Sequence, residues 1–313
     1  MKTFLFALLL ALALLGGCQA GTAPGAPTLK VGLLPIVDVL PLYVAESEGY
    51  FARQKVNVEL VPFSSAVERD SAVQAGQIDA FLNDLVATLL LDKGAGKLVV
   101  VRQTYQGSPA KPMMYVLAAP GSGIQKPADL QGVEIGISAN SVIEYTTDLL
   151  ARDAGVASFQ RVEVSKIPVR FDMLVKGQLR AATLPDPLAS LAIEQGARLI
   201  MDDSRTGYGQ SIMTFRRDVV SAQPSAVKAF LAAYEQAVQA INASPDKYRA
   251  LLVDRAKVPD QIKDTYAIPS YPPARVPSEA EFNSVSQWLL AKGLLPGPVA
   301  YGQLVTADYL PAR

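Results

Sequence analysis

From Leu29 onward, short apolar runs alternate with amphipathic segments. The run LKVGLLP ends at Pro35, and VNVELVPF places apolar and polar residues at alternate positions, which is typical of a half-buried strand. Pro41 can open a helix in PLYVAESEGYF, and further helices are predicted after Ser65 and Asp84. The strands IDAFL and KLVVVRQT complete the order β-α-β-α-β-α-β, which predicts a mostly parallel sheet covered by helices.

The same alternation restarts after the apolar strand MMYVLAAP. Strands are predicted at VEIGIS, RVEVSK, AATLP and ARLIMD, with the helices SVIEYTTDLLARDAG, VRFDMLVKG and PLASLAIEQG between them, and QSIMTFRR is interpreted as a return strand. Beyond it, Val227, Phe230, Leu231 and Tyr234 fall at helical spacings, so the C-terminal part is predicted to be helical. No repeat of fixed period is evident. The pattern indicates two α/β units followed by helices.

Two of the predicted helices begin with the same sequence pattern, a Ser followed by a Glu three positions later. Ser65 with Glu68 and Ser141 with Glu144 match the capping box, in which the Ser oxygen accepts from the third helical N–H and the Glu reaches back to the Ser N–H. Both follow a strand, and in open α/β sheets ligands bind beyond the carboxyl ends of the strands, where helix N-termini offer free N–H groups. The pattern predicts that the N-termini of these two helices, which we call helix mouths, face each other across a ligand cleft. A third capping box is predicted at the Ser of SEAEF.

The composition narrows the classes of function. Lys plus Arg number 29 and Asp plus Glu number 29, so there is no excess of positive charge to attract nucleic acid. Histidine is absent, which removes the usual general base and the commonest metal ligand. The single cysteine, Cys18, allows neither a disulfide within the chain nor a cysteine-based zinc site. We therefore expect no metal, no cofactor, no nucleic-acid partner and no catalytic residue.

The sequence of the N-terminus indicates a role for the single cysteine. Lys2 is followed by FLFALLLALALL and then GGCQAG, and this positive start, short apolar run and small residues are typical of a signal peptide over residues 1–17. LGGC, which ends at Cys18, matches the bacterial lipobox, in which the Cys is lipidated and becomes the mature N-terminus. Residues 18–28 are small, Pro-rich and uncharged and are predicted to form a flexible tether. We expect the folded body to be extracytoplasmic, in the periplasm or at the cell surface, and anchored to the membrane by the lipid on Cys18.

The segment LPLYVAESEGYFARQKVNVELVPFSSAVERDSAVQAGQIDAFLNDLVA resembles the first lobe of the periplasmic binding proteins of the nitrate/sulfonate/taurine and thiamine-pyrimidine type. Its apolar PLYVA, its EGYF, its strand VELVPF and its turn from Gly76 to Asp79 follow the family pattern. The similarity continues through DLQGVEIGIS, GQLRAATLPDPLAS and QPSAVKAFLAAYEQAVQAIN and covers nearly all of the chain after the tether. The lipobox agrees with it, since many of these proteins are lipoproteins.

The resemblance implies an α/β fold of the type II periplasmic binding protein class. Two α/β lobes would be joined by two hinge crossover strands, at residues 114–119 and 210–215, with C-terminal helices packed on lobe 1. Lobe 1 would comprise residues 29–116 and 213–313, and lobe 2 residues 117–212. The resemblance also implies a monomer, not an enzyme, that captures one small solute between the lobes and delivers it to the permease and ATPase subunits of an ABC importer.

By position, the loops that follow the strands should line the solute cleft. In the first lobe the predicted site residues are Val37, Asp38, Leu40, Ser64, Ser65, Asn83, Asp84 and Tyr105. In the second lobe they are Ser138, Asn140, Ser141, Arg170 and Asp186. Several have a plainer alternative: Asn83 and Asp84 could only cap a helix, Tyr105 could pack under a loop, and Arg170 could form a surface ion pair.

These residues leave the class of solute open. Three acids, one arginine and an aromatic face favour a small organic solute, such as a vitamin-precursor-like heterocycle with amino groups. Helix mouths and Arg170 would instead suit a small anion such as nitrate, a sulfonate or taurine. The rival from another class is an enzyme like the synthase of the thiamine pyrimidine, which consumes an active-site histidine of its own. This chain has no histidine to donate.

Overall fold

The computed structural model of the protein describes residues 28–312. This part of the chain forms two lobes, each built on a five-stranded sheet with helices packed against it. The predicted signal peptide and the lipidation site at Cys18 lie outside the described residues. The tether predicted over residues 18–28 is one residue too long, because Thr28 begins the first strand.

The first lobe contains a mixed sheet with the strand order β2-β1-β3-β10-β4. β1 pairs in parallel with β2 and β3, whereas β10 runs antiparallel to both β3 and β4. The mostly parallel arrangement and the return strand agree with the sequence-based prediction. The strands are β1 (Thr28–Leu33), β2 (Asn57–Pro62), β3 (Ala80–Asn83), β4 (Leu98–Gln106) and β10 (Gln210–Arg216).

The second lobe repeats this topology with the order β7-β6-β8-β5-β9. β6 pairs in parallel with β7 and β8, and β5 runs antiparallel to β8 and β9. β5 therefore holds the place in the second sheet that β10 holds in the first. The strands are β5 (Met114–Ala118), β6 (Glu134–Ile137), β7 (Gln160–Glu163), β8 (Ala181–Pro185) and β9 (Arg198–Asp202).

Helices cover both sheets, and the C-terminal helices pack on the first lobe as the family resemblance implies. α9 lies against α1 and α2, α11 against α4, and α12 against β4. Between residues 28 and 312, no helix combines the length and apolar character needed to cross a bilayer. The helices of the first lobe are α1 (Leu40–Ser47), α2 (Tyr50–Arg53), α3 (Ala66–Gln74), α4 (Leu85–Asp92), α8 (Arg217–Ala222), α9 (Pro224–Ala243), α10 (Arg249–Arg255), α11 (Glu279–Ala291) and α12 (Tyr301–Leu304). Those of the second lobe are α5 (Val142–Asp153), α6 (Ile167–Val175) and α7 (Leu188–Glu194).

The apolar pattern accounts for most of these elements, with one difference. The predicted α9 face, which includes Phe230 and Tyr234, is buried in the core. The helix predicted over PLYVAESEGYF is instead divided into α1 and α2. Gly49 between them adopts φ +70°, a left-handed conformation that ends a helix and that glycine reaches without steric cost.

The chain passes between the lobes twice. Residues 107–113 form the first connector, between β4 and β5, and residues 203–209 form the second connector, between β9 and β10. The lobe boundaries predicted at 116/117 and 212/213 fall within β5 and β10. Most of the predicted site residues lie in the loops that follow the carboxyl ends of the parallel strands, which is the side of an open α/β sheet where ligands bind.

Candidate functional site

One buried carboxylate fixes the two connectors to each other. Asp203 is fully buried, and its Oδ1 accepts hydrogen bonds from the N–H groups of Met113 and Met114 at 2.8 and 3.0 Å. Its Oδ2 accepts from the Gly209 N–H at 2.9 Å. A Cβ at Gly107 or Gly209 would lie 2.6 or 2.5 Å from the carboxylate oxygens, so both positions require glycine. Burial raises the pKa of Asp203 to about 6, against the opposing effect of these N–H donors.

A second buried carboxylate, Asp186, follows β8 and gathers polar side chains from distant parts of the chain. Its Oδ2 accepts from the hydroxyls of Tyr115 and Tyr266 at 3.2 and 3.1 Å and pairs with the Lys111 Nζ at 2.5 Å. Its Oδ1 accepts from the N–H and the hydroxyl of Ser190 at 3.0 and 2.8 Å. The Lys111 Nζ also lies 4.1 Å from the centroid of the Tyr266 ring. We call these five residues the Asp186 cluster.

Tyr105 joins the Asp186 cluster to the loop after β1. Its hydroxyl donates to the Lys111 carbonyl at 3.4 Å, and its ring centroid lies 5.8 Å from that of Tyr271. The Tyr271 hydroxyl in turn donates to the Val37 carbonyl at 2.6 Å. Burial, followed by the negative charge of Asp186, raises the pKa of Tyr105 well above its ordinary value. Tyr105 is therefore a neutral aromatic wall of the cluster.

Two acids lie near a buried arginine in the first lobe. Asp38 is 2% exposed, and its Oδ1 has no hydrogen-bond partner within the described residues. Burial raises its pKa to about 6, although a hydrogen bond with Ser211 and the charge of Arg69 act against that rise. Asp84 caps α4 by accepting from the Ala87 N–H at 2.8 Å, and burial raises its pKa to about 6 as well. Both carboxyl groups therefore change charge near neutral pH.

Arg69 and Arg170 occupy matching positions in the two lobes. The segments RDSAVQAGQIDA and RFDMLVKGQLRA, which begin at these arginines, share an Arg, a Gly-Gln pair and an Ala at the same spacing. The Arg69 Nη1 donates to the Leu82 carbonyl at 2.7 Å, and the Arg170 Nε donates to the Thr183 carbonyl at 2.9 Å, each 13 residues along the chain. The two lobes therefore contain the same helix–turn–strand unit, although the sequence shows no repeat of fixed period.

The equivalence extends to the strand beneath each arginine. A Cβ at Gly32 in β1 would lie 2.5 Å from an Ile78 methyl group and 3.3 Å from the Cγ of the first-lobe arginine. A Cβ at Gly136 in β6 would meet Leu179 and the second-lobe arginine at the same distances. Each arginine side chain therefore passes over its sheet at a strand position where only glycine leaves enough room.

The two arginines differ in how their charge is compensated. Arg69 forms an ion pair with Asp70, with the Nη2 2.7 Å from the Oδ1. Arg170 donates from Nη1 to the Ser138 hydroxyl at 2.9 Å and to the Val164 carbonyl at 2.6 Å, while its Nη2 is buried without a partner in the described part of the chain. Burial lowers the pKa of Arg170 to about 10. Within residues 28–312 no carboxylate forms an ion pair with the second-lobe arginine, although the negative charge of Glu163 acts against the fall in its pKa.

The predicted helix mouth at α3 is filled by the chain itself. Ser65 caps the helix as predicted, by accepting from the Glu68 N–H at 3.2 Å. The Glu68 carboxylate, however, accepts from the N–H and hydroxyl of Ser64, at 3.2 and 2.7 Å. The capping box predicted at Ser65 is therefore wrong in this detail, because Ser64 offers two donors to the same oxygen. The box predicted at Ser278 has both reciprocal bonds with Glu281.

The mouth of α5 departs from the prediction in the same way. Ser141 accepts from the Ile143 N–H at 3.1 Å, and the Glu144 carboxylate accepts from the Asn140 N–H at 2.7 Å. Asn140 has φ +53°, a left-handed conformation that asparagine tolerates, and this turn presents its N–H to the carboxylate. The capping box predicted at Ser141 is therefore also wrong. The buried Glu144 further pairs with the Nζ of Lys292, the residue that follows α11, across the lobes.

Further contacts between α5 and α11 close one side of the interlobe space. The Trp288 Nε1 on α11 donates to the Asp148 Oδ2 at 3.0 Å, and the hydroxyls of Tyr145 and Ser284 lie 2.8 Å apart. The rings of Tyr145 and Trp288 meet edge to face, with centroids 5.6 Å apart. The lobes are therefore in direct contact along this edge.

The structure places several predicted site residues in shared polar clusters. Tyr105 and Asp186 meet through Lys111. The negative charge of Asp84 contributes to the raised pKa of Asp38. In the second lobe Ser138 accepts from Arg170, and the Ser141 hydroxyl donates to the Ser138 carbonyl at 2.7 Å.

Other predicted residues are used within the first lobe. Asn83 is 5% exposed, and its amide group bonds to the hydroxyls of Thr88 and Thr214 at 2.6 and 2.8 Å. The side chains of Val37 and Leu40 are buried in the hydrophobic core. The structure does not bring these three side chains into the polar clusters described above.

Arg69 and most residues of the Asp186 cluster are not among the predicted site residues. The repeated Arg–Gly-Gln spacing could have identified Arg69 as the counterpart of Arg170. No local signal marks Tyr266, because it lies 80 residues along the chain from Asp186. Lys111 lies in a connector whose role depends on the packing of both lobes.

A shallow pocket of about 330 Å³ lies on the first lobe, beyond the ends of β1 and β2. Its lining includes Ser64, Tyr43, Arg255 and Lys257 and no member of the Asp186 cluster. Between residues 28 and 312, no group of three or more His, Cys, Asp or Glu side chains is arranged to hold a metal ion.

Comparison with solved structures places this geometry among known folds. The alkanesulfonate-binding protein SsuA from Xanthomonas axonopodis pv. citri, bound to MOPS, has a TM-score of 0.73 at 20% identity, over 90% of this chain and 99% of that chain. The periplasmic aliphatic sulphonate binding protein SsuA from Escherichia coli has a TM-score of 0.74 at 20% identity, over 91% and 92%. The desulfurization enzyme DSZB has a TM-score of 0.66 at 18% identity, over 90% and 97%. These likenesses show a shared periplasmic binding protein fold.

The sequence itself also matches a protein family. No curated protein matches this chain at a significant level. The family model described as NMT1/THI5 like, however, matches residues 36–248, which is more than half of the chain. This confirms the resemblance seen in the sequence, and the chain belongs to the NMT1/THI5 like family.

Proposed function

We propose that this chain is an extracytoplasmic solute-binding lipoprotein that holds one small organic solute between its lobes and delivers it to an ABC importer. The observation that carries the proposal is the Asp186 cluster, a buried carboxylate bordered by tyrosine side chains after β8. Ligands of open α/β sheets bind beyond the carboxyl ends of the strands, where this cluster lies. The two connectors would let the lobes close around the solute.

The chemistry of the cluster favours a solute with an amino group. A buried carboxylate forms strong charge-assisted hydrogen bonds with N–H donors, and the face of a tyrosine ring attracts a cation. Both interactions are made in this structure by the ammonium group of Lys111. Asp38 and Asp84 add two further acids on the first-lobe side. A flat heterocycle with amino groups would use the carboxylate and the aromatic walls together.

A second candidate is a small anion such as a sulfonate, nitrate or taurine, and a specific observation favours it. The buried Arg170 Nη2 has no partner within the described residues, and an anionic group is the partner that a guanidinium prefers. The two SsuA structures are named for sulfonate binding. Against this candidate, Glu68 and Glu144 fill the mouths of α3 and α5 with negative charge.

The alternative from another functional class is an enzyme, since the desulfurization enzyme DSZB shares the fold. We favour binding over catalysis because no histidine is present to serve as base or donor, and because two of the buried acids, Asp203 and Asp84, are engaged in connector and helix-cap contacts. A synthase of the thiamine pyrimidine that consumes its own histidine is therefore disfavoured.

The proposed location depends on the lipobox at Cys18. Expression in a bacterial host should give a mature protein whose N-terminal Cys18 carries acyl chains. Cys18→Ala should remain uncleaved or leave the membrane fraction. Mass spectrometry that finds an unmodified thiol on the mature N-terminus would remove the lipoprotein part of the proposal and leave the solute-binding part standing.

Calorimetry with two probes separates the candidate solutes. The probes are 4-amino-5-hydroxymethyl-2-methylpyrimidine, which has an amino group, and methanesulfonate, which is an anion. The proposal predicts one pyrimidine site per chain, weakened by roughly 1–3 kcal/mol in Asp186→Asn and unchanged in Asp172→Asn, an exposed acid of the same lobe. Binding of methanesulfonate alone, lost in Arg170→Met, would favour the second candidate. Binding of either probe to Asp186→Asn and Arg170→Met with unchanged affinity would refute both.

A further inference from the structure

Lys111 stands on the first connector, but its side chain ends inside the Asp186 cluster. Its side chain is 12% exposed, and its Nζ lies 2.5 Å from the Asp186 Oδ2 and 3.4 Å from the Ser190 Oγ. Its backbone belongs to a tight turn closed by two hydrogen bonds with Ser108, whose neighbours in the turn are exposed. The ammonium group is therefore buried, while the chain that carries it runs along the surface.

The site that holds this ammonium group does not depend on Lys111. Ser190 fixes one oxygen of Asp186 through two hydrogen bonds, and the hydroxyls of Tyr115 and Tyr266 donate to the other oxygen. These four bonds would keep the carboxylate and the Tyr266 ring in place if the ammonium group left. The cluster is thus a preformed acceptor for one cation, with a carboxylate on one side and an aromatic face on another.

Lys247 shows what the same contacts look like on the surface. Its Nζ lies 2.7 Å from the Glu48 Oε1 and 5.0 Å from the centroid of the Tyr248 ring, but its side chain is 56% exposed. Water screens an ion pair of this kind, which then contributes little. The Lys111 contacts are shielded from water, so removing the cation leaves a buried carboxylate without its charge partner. Lys247 is therefore a matched control for Lys111.

We propose that the Asp186 cluster is a binding pocket for an amino group, which the carboxylate holds as an N–H donor, and that Lys111 is its tethered occupant, which the amino group of the solute displaces. The identity of the solute rests on the proposed function, whereas the pocket itself can be tested without it. On displacement, Lys111 moves along the exposed connector into solvent. A solute that lacks a primary amino group leaves Lys111 in place, so Lys111 also determines which solutes bind.

Tethering makes Lys111 a strong competitor. An attached group acts at an effective concentration in the millimolar range when its linker is short, so a free amine must overcome that competition in the wild-type chain. Lys111→Ala removes every side-chain atom beyond Cβ and opens a space with the length of a propyl chain and its ammonium group. A free amine of that size should bind Lys111→Ala at least about tenfold more tightly than the wild type.

The test uses n-propylammonium chloride as the probe and Lys111→Ala as the variant. Lys111→Ala should unfold at a lower temperature than the wild type, and propylammonium should restore the unfolding temperature in a saturable manner. Tetramethylammonium chloride at equal ionic strength should not restore it, because it has no N–H to donate to the carboxylate. Lys247→Ala should show no saturable response to propylammonium. In Lys111→Ala combined with Asp186→Asn the rescue should disappear.

Lys111→Val, probed with the shorter ethylammonium chloride, provides a second test if the alanine variant does not fold. Absence of saturable binding by the matching amine in a folded Lys111 variant would overturn the proposal. Equal rescue in Lys247→Ala, or rescue that persists without Asp186, would overturn it too. Because the probe is a simple amine, a negative result here leaves solute binding in the calorimetric experiment untouched. Failure of solute binding likewise leaves the amine rescue interpretable.

Discussion

The two lobes share a structural unit and differ in charge. In both, an arginine at the first turn of a helix crosses a glycine of the neighbouring strand and donates to a carbonyl 13 residues along the chain. Arg69 is paired with Asp70 and lies close enough to Asp38 to lower its pKa. Arg170 bonds to carbonyl and hydroxyl oxygens and keeps one nitrogen unpartnered within the described chain.

The comparison shows that different residues determine how each arginine packs and how its charge is compensated. The shared spacing of Arg, Gly-Gln and Ala sets the geometry, because the glycine beneath each arginine fixes how the helix lies on the sheet. The acids around the arginine then set the polarity of each lobe. The first lobe places Asp70 and Asp38 beside its arginine, whereas in the second lobe Glu163 acts on the guanidinium only electrostatically, without an ion pair. Variants that exchange one feature at a time can test this separation.

The largest effect is expected for Arg69→Met. The substitution preserves volume but leaves Asp70 and the nearby Asp38 without their cation and the Leu82 carbonyl without its donor. Breaking such a pair should lower the free energy of unfolding by about 3 kcal/mol. Urea unfolding followed by circular dichroism measures this value. A loss no larger than that of Arg170→Met would contradict the charge comparison.

The next effect is a pH dependence that originates in the first lobe. The pKa of Asp38 rises from 3.8 to about 6 on folding, so between these values the folded chain binds more protons than the unfolded chain. The stability linked to this group is present below pH 3.8 and is lost as the pH rises through about 6. A shift of this size corresponds to roughly 3 kcal/mol.

Asp38→Asn should therefore flatten the decline in stability between pH 5 and 7, although Asp84 and Asp203, whose pKa values are also raised, keep part of it. Asp172→Asn, an exposed acid of the second lobe, is the control. Unfolding temperatures measured across this range check the sign. A wild-type protein whose stability rises from pH 5 to 7, with no change in Asp38→Asn, would contradict the assignment.

Gly32→Ala and Gly136→Ala test whether the two units are packed alike. Each added methyl group would meet a leucine or isoleucine methyl at 2.5 Å and an arginine stem at 3.3 Å. Both substitutions should destabilise by about 1–3 kcal/mol, and by similar amounts, because the same neighbours must move. Thermal unfolding of the two variants side by side measures the match. A large difference between them would mean that the units are alike in sequence but not in packing.

Arg170→Met should have the smallest effect on stability. It removes a buried charge that has no carboxylate partner, so the gain from losing that charge offsets the two carbonyl oxygens left without a donor. The expected change is about 1 kcal/mol or less. Arg170→Lys should be worse, because one ammonium cannot reach the oxygens that the planar guanidinium reaches. A destabilisation by Arg170→Met as large as that by Arg69→Met would show that Arg170 has a partner in solution.

Apolar periodicity was sufficient to predict the order of strands and helices, because each element buries one face. The return strand β10 and the helix caps at Ser65, Asp84 and Ser141 were also predictable from local residues. The detailed bonds at two caps were not, since the glutamates reach one residue further upstream. The Asp186 cluster could not be predicted, because it joins the first connector, two strands' ends and the loop at Tyr266 through contacts that exist only after the lobes have packed.

The most direct test of the account is native mass spectrometry of the chain freshly purified from a bacterial host. The central claim is that one small solute with an amino group binds at Asp186 between the lobes. The account predicts a single bound small molecule on the wild type and on Asp172→Asn, and none on Asp186→Asn. Fragmentation of the released molecule should identify the amino group. The same molecule bound at full occupancy to Asp186→Asn, or a bound anion without an amino group, would contradict the account.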